Sequence, residues 1–167
     1  MEEIQGRVWK FGSNVDTDVI VSGQYLDAPM QEIVSHVLEN CRPEFSARVK
    51  PGDIIIAGSN FGCGSSREQA PASLKAVGIG CVVAESFGRI FFRNAIAIGL
   101  PVFTCKGAGA AFEDGDRALI SMKHFHVRNP DTGLSLTADP LSPEMQLIIA
   151  RGGILEYLKE AATQVAV

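Results

Sequence analysis

A chain of 167 residues, 46% hydrophobic and 20% charged, is long enough to bury one core and has the balance of an ordinary globular domain. Its net charge of −4, with 15 scattered lysines and arginines, leaves no cationic footprint and sets nucleic acid aside as a partner. No apolar run reaches the ~20 residues of a membrane-spanning helix, and Met1-Glu2-Glu3-Ile4-Gln5 lacks the basic and then apolar build of a signal peptide. The expectation is a cytoplasmic chain with no membrane partner.

Arg7 to Phe11 predicts a short strand, followed by a long polar, glycine-containing connection over residues 12–29. Met30, Ile33, Val34, Val37 and Leu38 recur at helical spacing and predict an amphipathic helix ending near Asn40 to Pro43. Asp53-Ile54-Ile55-Ile56-Ala57 reads as a buried strand. After a glycine-rich stretch, a helix is predicted from about Pro71, comfortable in a first turn, to Val77, with Gly78 as its stop. Residues 80–85 form another buried strand, and Ser86 is placed to cap a helix carrying Ile90, Phe91, Ala95 and Ile98. Pro101 to Cys105 supplies a third strand. This alternation favours an α/β domain with a parallel core and right-handed crossovers. After Gly107 the pattern changes. His124 to Arg128 and Leu134 to Thr137 alternate like a hairpin around Asn129 to Gly133, and from Ser142 two helical pieces are broken at Gly152-Gly153.

Cys41, Cys63, Cys81 and Cys105 stand 18 to 24 residues apart with no C-x-x-C pair, poor spacing for a zinc or iron–sulfur site. Reduced thiols are expected, most of them small buried residues; Cys63 stands apart because it lies within the glycine loop. His36 falls in the amphipathic helix, and His124 and His126 share one strand face; none has ligand spacing, and packing or surface roles are expected.

The most informative stretch is Gly58-Ser59-Asn60-Phe61-Gly62-Cys63-Gly64-Ser65-Ser66-Arg67-Glu68-Gln69-Ala70-Pro71. It sits at a strand-to-helix turn, where glycine lets backbone approach a ligand and a helix start favours an anion. Two hydroxyls and a guanidinium able to grip a carboxylate or phosphate bidentately are adjacent there. The glycines fit neither the dinucleotide spacing nor a P-loop, since no Gly-Lys-Ser/Thr follows. An anion site with a possible proton-transfer group is one reading; a turn that only reverses the chain is the other.

Asn60 to Pro71 resembles the serine loop of the aconitase superfamily in its small-subunit form. Asn14-Val15-Asp16-Thr17-Asp18-Val19-Ile20 with Tyr25-Leu26 is similar to the family's N-x-D-T-D-x-I … Y-L signature. Phe87-Gly88-Arg89-Ile90-Phe91-Phe92-Arg93-Asn94 with Gly99-Leu100-Pro101 is similar to its F-x-R-I-F-x-x-N … G-L-P segment. The motifs run in order over nearly the whole chain. Ala97 departs from the family, which usually has a second Asn there, and is read as local packing. The resemblance implies that residues 1–167 are one swivelling β/β/α domain, which closes over the active site of aconitase-like enzymes.

It also implies a hydro-lyase that moves a hydroxyl along a 2-hydroxy di- or tricarboxylate by dehydration and rehydration. Ser65 matches the catalytic base, Ser66 its hydrogen-bonding neighbour, Arg67 a substrate-carboxylate ligand and Asp18 a supporting acid; from the residues alone, Asp18 reads as a turn or cap aspartate. A serine can act as a base only if its alkoxide is stabilised by backbone N–H groups, a helix start or a cation. Gly64, the following helix and Arg67 offer these. The family's Lewis acid is a [4Fe–4S] cluster held by three cysteines of a large subunit. This chain has no such set, so no metal is expected here and a cluster-bearing partner is, in a heterodimer or heterotetramer. A non-catalytic anion-binding module and a purely structural subunit are the alternatives from other classes.

In the family, residues after Tyr-Leu meet the variable substituent on the malate skeleton, and members taking an additional carboxylate tend to place an arginine there. Here the loop is Tyr25-Leu26-Asp27-Ala28-Pro29-Met30, with no Lys or Arg between Phe11 and Cys41. Asp27 at ~4 Å from a substrate carboxylate would cost about 4 kcal/mol at an effective dielectric of ~20, whereas an alkyl group buried against Ala28, Pro29 and Met30 gains ~0.8 kcal/mol per methylene. An alkyl-substituted malate follows, 3-isopropylmalate first, with methyl- and dimethylmalate as rivals and citrate and homocitrate below them. The other reading is that Asp27 points to solvent and the loop is only a helix lead-in.

Overall fold

Strand β1 (Glu3–Phe11) is four residues longer at its start than local pattern suggests, because its two halves pair with different partners. Glu3–Arg7 run antiparallel to β5 (Arg117–Ser121), while Val8–Phe11 run parallel to β2 (Ile54–Ala57). The computed structural model describes residues 3–165; Met1 and Glu2 of the N-terminal segment read above, with Ala166 and Val167, lie outside them.

Among the described residues, seven strands form one curled sheet in the order β4-β3-β2-β1-β5-β6-β7. Its parallel half joins β1, β2, β3 (Cys81–Ala84) and β4 (Val102–Thr104). Every residue of β2 and β3 is buried, as in parallel strands covered on both faces. The antiparallel half is a meander of β5, β6 (His126–Arg128) and β7 (Ser135–Thr137), the predicted hairpin. His126 lies in β6 and His124 just before it, with ring centroids 6.1 Å apart. The result is the expected mixed α/β architecture in one compact domain.

Tertiary contacts modify the helices. Within residues 12–29 lies a short helix α1 (Thr17–Ile20), whose Val19 N–H is accepted by Asp16 Oδ1 at 2.8 Å, and then a 3₁₀ turn over Gly23–Tyr25. The amphipathic helix α2 spans only Met30–Ser35. Val37 and Leu38 are buried as predicted, but in a tight turn where Leu38 has φ +59° and donates its N–H to Ile20 O at 3.0 Å. His36 ends α2, with Nδ1 2.6 Å from a Glu39 carboxylate oxygen.

A short α3 (Phe45–Arg48) precedes β2. Helix α4 (Gln69–Ala76) begins two residues before Pro71, which still falls in its first turn. Helix α5 (Arg89–Ala97) has Gly88 at its N-cap; Ser86 does not cap it, accepting instead the Asn60 N–H at 2.8 Å. Ala97 closes α5 against Gly153. After α6 (Ala108–Ala111), the C-terminal pieces are α7 (Pro143–Ala150), capped by Ser142, and α8 (Ile154–Val165), split at the glycine pair as read from sequence.

Asp53, expected at the start of a strand, lies just outside β2 and is only 5% exposed. Its Oδ2 accepts the Trp9 indole N–H at 2.8 Å and the Lys50 backbone N–H at 3.0 Å. Asp53→Ala therefore strands two donors near the sheet's centre and is expected to cost about 1–3 kcal/mol, whereas Asp53→Asn keeps an acceptor and should cost less. Urea unfolding of the three proteins measures this, and equal midpoints would contradict it.

Candidate active site

The glycine loop after β2 is held on both sides by the other two motifs. On one side Asn14 N–H donates to Ser59 O at 2.8 Å, Gly62 N–H to Val15 O at 2.7 Å and Thr17 N–H to Cys63 O at 2.9 Å. On the other, Phe61 N–H donates to Ser86 O at 3.0 Å and Gly88 N–H to Phe61 O at 2.8 Å. Backbone pairing thus converges three segments far apart in sequence on one loop. Beneath it, Phe61 meets Phe91 edge-on at 5.4 Å, and Phe87 stacks parallel to Phe91 at 6.2 Å. Gly62 has φ +73°, and a side chain there would collide with the Phe91 ring.

At the loop's tip Ser65 is exposed, and its hydroxyl lies 3.2 Å from Thr17 Oγ1, which also donates to Ser65 O at 3.0 Å. Gly64, at φ +92°, sets its open side 3.5 Å from the same oxygen. Thr17 is 2% exposed. The resemblance points to Asp18 in the D-T-D segment and not to Thr17, which lies in the same motif. The regular helix starts only at Gln69, so the immediate partner of Ser65 is a hydroxyl from α1, not Ser66 or the helix end. Ser66 is exposed, and its side chain makes no hydrogen bond among the described residues.

Arg67 turns back to α1, its side chain 19% exposed. Nη1 forms an ion pair with Asp18 and donates to Val21 O at 2.9 Å. The Asp18 carboxylate is 62% exposed, so the pair opens to solvent on the Asp18 side. Arg67 Nη2 faces Gly23, whose open side is 3.8 Å away. A guanidinium has five N–H donors in a planar fork, which leaves donors beyond the two contacts on Nη1 for an incoming anion.

The Tyr-Leu loop is tied to the same place. Gln69 Nε2, at the start of α4, donates to Leu26 O at 3.2 Å. Tyr25 stacks on His36 with centroids 4.1 Å apart and planes at 10°. Burial, then the Glu39 charge and hydrogen bond, push the Tyr25 phenol above its usual pKa. Asp27 is exposed and Ala28 half-buried.

The cysteines are dispersed: Cys81 and Cys105 are buried, Cys63 is half-buried in the loop and Cys41 is exposed. Burial, helped by Asp139 and Glu85, raises the Cys105 thiol to about 11. Among the described residues no group of three or more His, Cys, Asp or Glu is placed to hold a metal ion. What the geometry offers is an exposed serine hydroxyl backed by a buried threonine, beside an arginine held by a carboxylate.

Comparison with protein families matches residues 18–106, from Asp18 through the glycine loop and α5, to the Aconitase C-terminal domain. The "3-isopropylmalate dehydratase small subunit 1" of Methanopyrus kandleri is 51% identical over 93% of this chain and 92% of its own length. The "Methanogen homoaconitase small subunit" of Methanothermobacter thermautotrophicus is 48% identical over 98% and 95%. Among solved structures, a 3-isopropylmalate dehydratase from Methanocaldococcus jannaschii superposes with TM-score 0.93 at 38% identity, covering 98% of both chains.

Proposed function

The chain belongs to the aconitase family, and on that footing we propose that it is the small subunit of a hydro-lyase interconverting 2-isopropylmalate and 3-isopropylmalate in leucine biosynthesis. The observation that carries the chemistry is the Ser65 hydroxyl set against Thr17 and beside the Arg67–Asp18 pair. The chain works with a large subunit, which holds the family's [4Fe–4S] cluster; the dispersed cysteines here do not fit one. When bound there, that cluster would supply Lewis acidity toward the departing hydroxyl.

Ser65 removes a proton from the carbon next to a carboxylate. The C–H electron pair becomes the double bond as the hydroxyl leaves from the neighbouring carbon, and the reverse steps rehydrate it with the hydroxyl moved. Thr17 has one proton and two oxygens of Ser65 in reach. When it donates to Ser65 O, the Ser65 hydroxyl can donate to Thr17 Oγ1; rotated toward Ser65 Oγ, the same proton supports the alkoxide. Arg67 clamps a substrate carboxylate and adds positive potential near that alkoxide, and Asp18 fixes the guanidinium.

The Tyr25–Ala28 loop selects the substituent. Its anchoring to Gln69 and its approach to Arg67 through Gly23 support a role beside the bound carboxylate. It offers no cation and carries Asp27, which favours an alkyl group over an extra carboxylate. The relative named as a homoaconitase small subunit is the observation that favours the rival tricarboxylate. With the reconstituted pair, kcat/KM is expected to be highest for isopropylmalate, lower for methyl- and dimethylmalate, and lowest for citrate and homocitrate. A preference for either tricarboxylate would refute the loop's assignment while leaving the hydro-lyase reading intact.

A further inference from the structure

The F-x-R-I-F-x-R-N segment has two faces, and only one of them supports the serine loop. Phe87 and Phe91 pack beneath the serine loop, whereas Arg89, Ile90 and Arg93 face outward on α5. Ile90 is 50% exposed. Arg89 and Arg93 stand i,i+4, and Arg89 opens the helix. Like charges at that spacing repel, and a cation at a helix start opposes the dipole, so the placement disfavours α5 twice. Neither arginine has an ion pair or side-chain hydrogen bond among the described residues, although Arg42, Arg67, Arg117, Arg128 and Arg151 each meet a carboxylate.

Grooves flank this ridge on both sides, and both arginines line each of them. One, of about 510 Å³, runs along Cys63 and Gly64 to the edge of the active serine; the other, of about 410 Å³, runs past Phe87 and Phe92. In a chain of net charge −4 this is a local cationic and apolar surface continuous with the site. Its shape, a convex ridge between open grooves with an isoleucine at its crest, suits a protein surface rather than a small anion.

We propose that Arg89, Ile90 and Arg93 form a docking ridge for an acidic segment of the large subunit, seating the partner against the serine loop. This rests on the reading that the chain works with such a subunit. The electrostatic cost within α5 is offset only when the partner's carboxylates arrive, so charge should govern the encounter and its salt dependence.

The test is association of the purified large subunit with wild type, an Arg89→Glu/Arg93→Glu double variant and the milder Arg89→Gln/Arg93→Gln, by titration calorimetry at low and high salt. Circular dichroism should report unchanged folds. The Glu variant is expected to raise Kd more than about tenfold, the Gln variant less, both with flatter salt dependence, and kcat at saturating partner should stay within about twofold. Kd within about twofold of wild type for the Glu variant overturns the proposal. Unchanged Kd with a raised KM for isopropylmalate would instead assign the arginines to a substrate carboxylate. If wild type neither binds nor activates the large subunit, the underlying functional reading fails and takes this inference with it.

Discussion

Ser65→Ala is expected to leave the fold and the assembly intact while removing nearly all turnover. Ser65 is exposed, so the lost hydroxyl leaves no cavity, and Thr17 keeps its bond to the Ser65 backbone carbonyl at 3.0 Å, which a substitution at the side chain does not touch. The loop's position depends on backbone pairing to Val15, Thr17, Ser86 and Gly88, none of which involves the serine side chain. What disappears is the hydroxyl proposed to take the proton. General acid–base catalysis is typically worth ~10²–10⁴-fold, so a kcat loss of that order with little change in KM is the expected signature. Steady-state kinetics on the reconstituted pair measure it, and a kcat within twofold of wild type would mean another group is the base.

Arg67→Lys should also be damaging, though less so, even though charge is conserved. The guanidinium meets Asp18 and the Val21 carbonyl through Nη1, with other donors left for substrate. An ammonium is a point donor on a flexible stem and cannot reproduce a planar fork. Hydrogen bonds to charged groups contribute ~1.5–3 kcal/mol, which corresponds to about 10–100-fold in kcat/KM. Because the proposed clamp would act in ground and transition states alike, much of the loss should appear in KM, unlike the loss at Ser65. A variant with unchanged KM and kcat would show that Arg67 holds Asp18 and α1 rather than the substrate.

The two substitutions separate proton transfer from carboxylate binding, and both bear on residues whose neighbourhood was largely written in the chain. The buried runs of β2 and β3, the hairpin of β6 and β7, and the break between α7 and α8 follow from local pattern: apolar runs, alternation and glycines. The splitting of β1 between two neighbours does not, because Glu3–Gly6 look polar and are recruited only by pairing with β5. The shortness of α2 has the same origin. Val37 and Leu38 keep helical spacing but are buried by a turn bonded to Ile20, a contact across 18 positions that periodicity cannot register. At the site, motif order points to Asp18, Ser65 and Arg67, and the structure sets Asp18 of α1 beside the loop that carries the other two. Thr17 was invisible as a partner of Ser65 because a threonine between two aspartates reads as a turn residue until tertiary pairing sets it opposite the serine. Ser86 failed as a cap because its oxygen is taken by Asn60.

Reconstitution tests most directly whether this chain is, as proposed, the proton-transferring half of a two-subunit hydro-lyase. Interconversion of 2- and 3-isopropylmalate should be measured with the chain alone, with the cluster-loaded large subunit alone, and with the two mixed, using Ser65→Ala in a parallel mixture. Turnover is expected only in the mixture containing Ser65. Turnover by the chain alone, or by the large subunit alone at the rate of the mixture, would contradict the proposal.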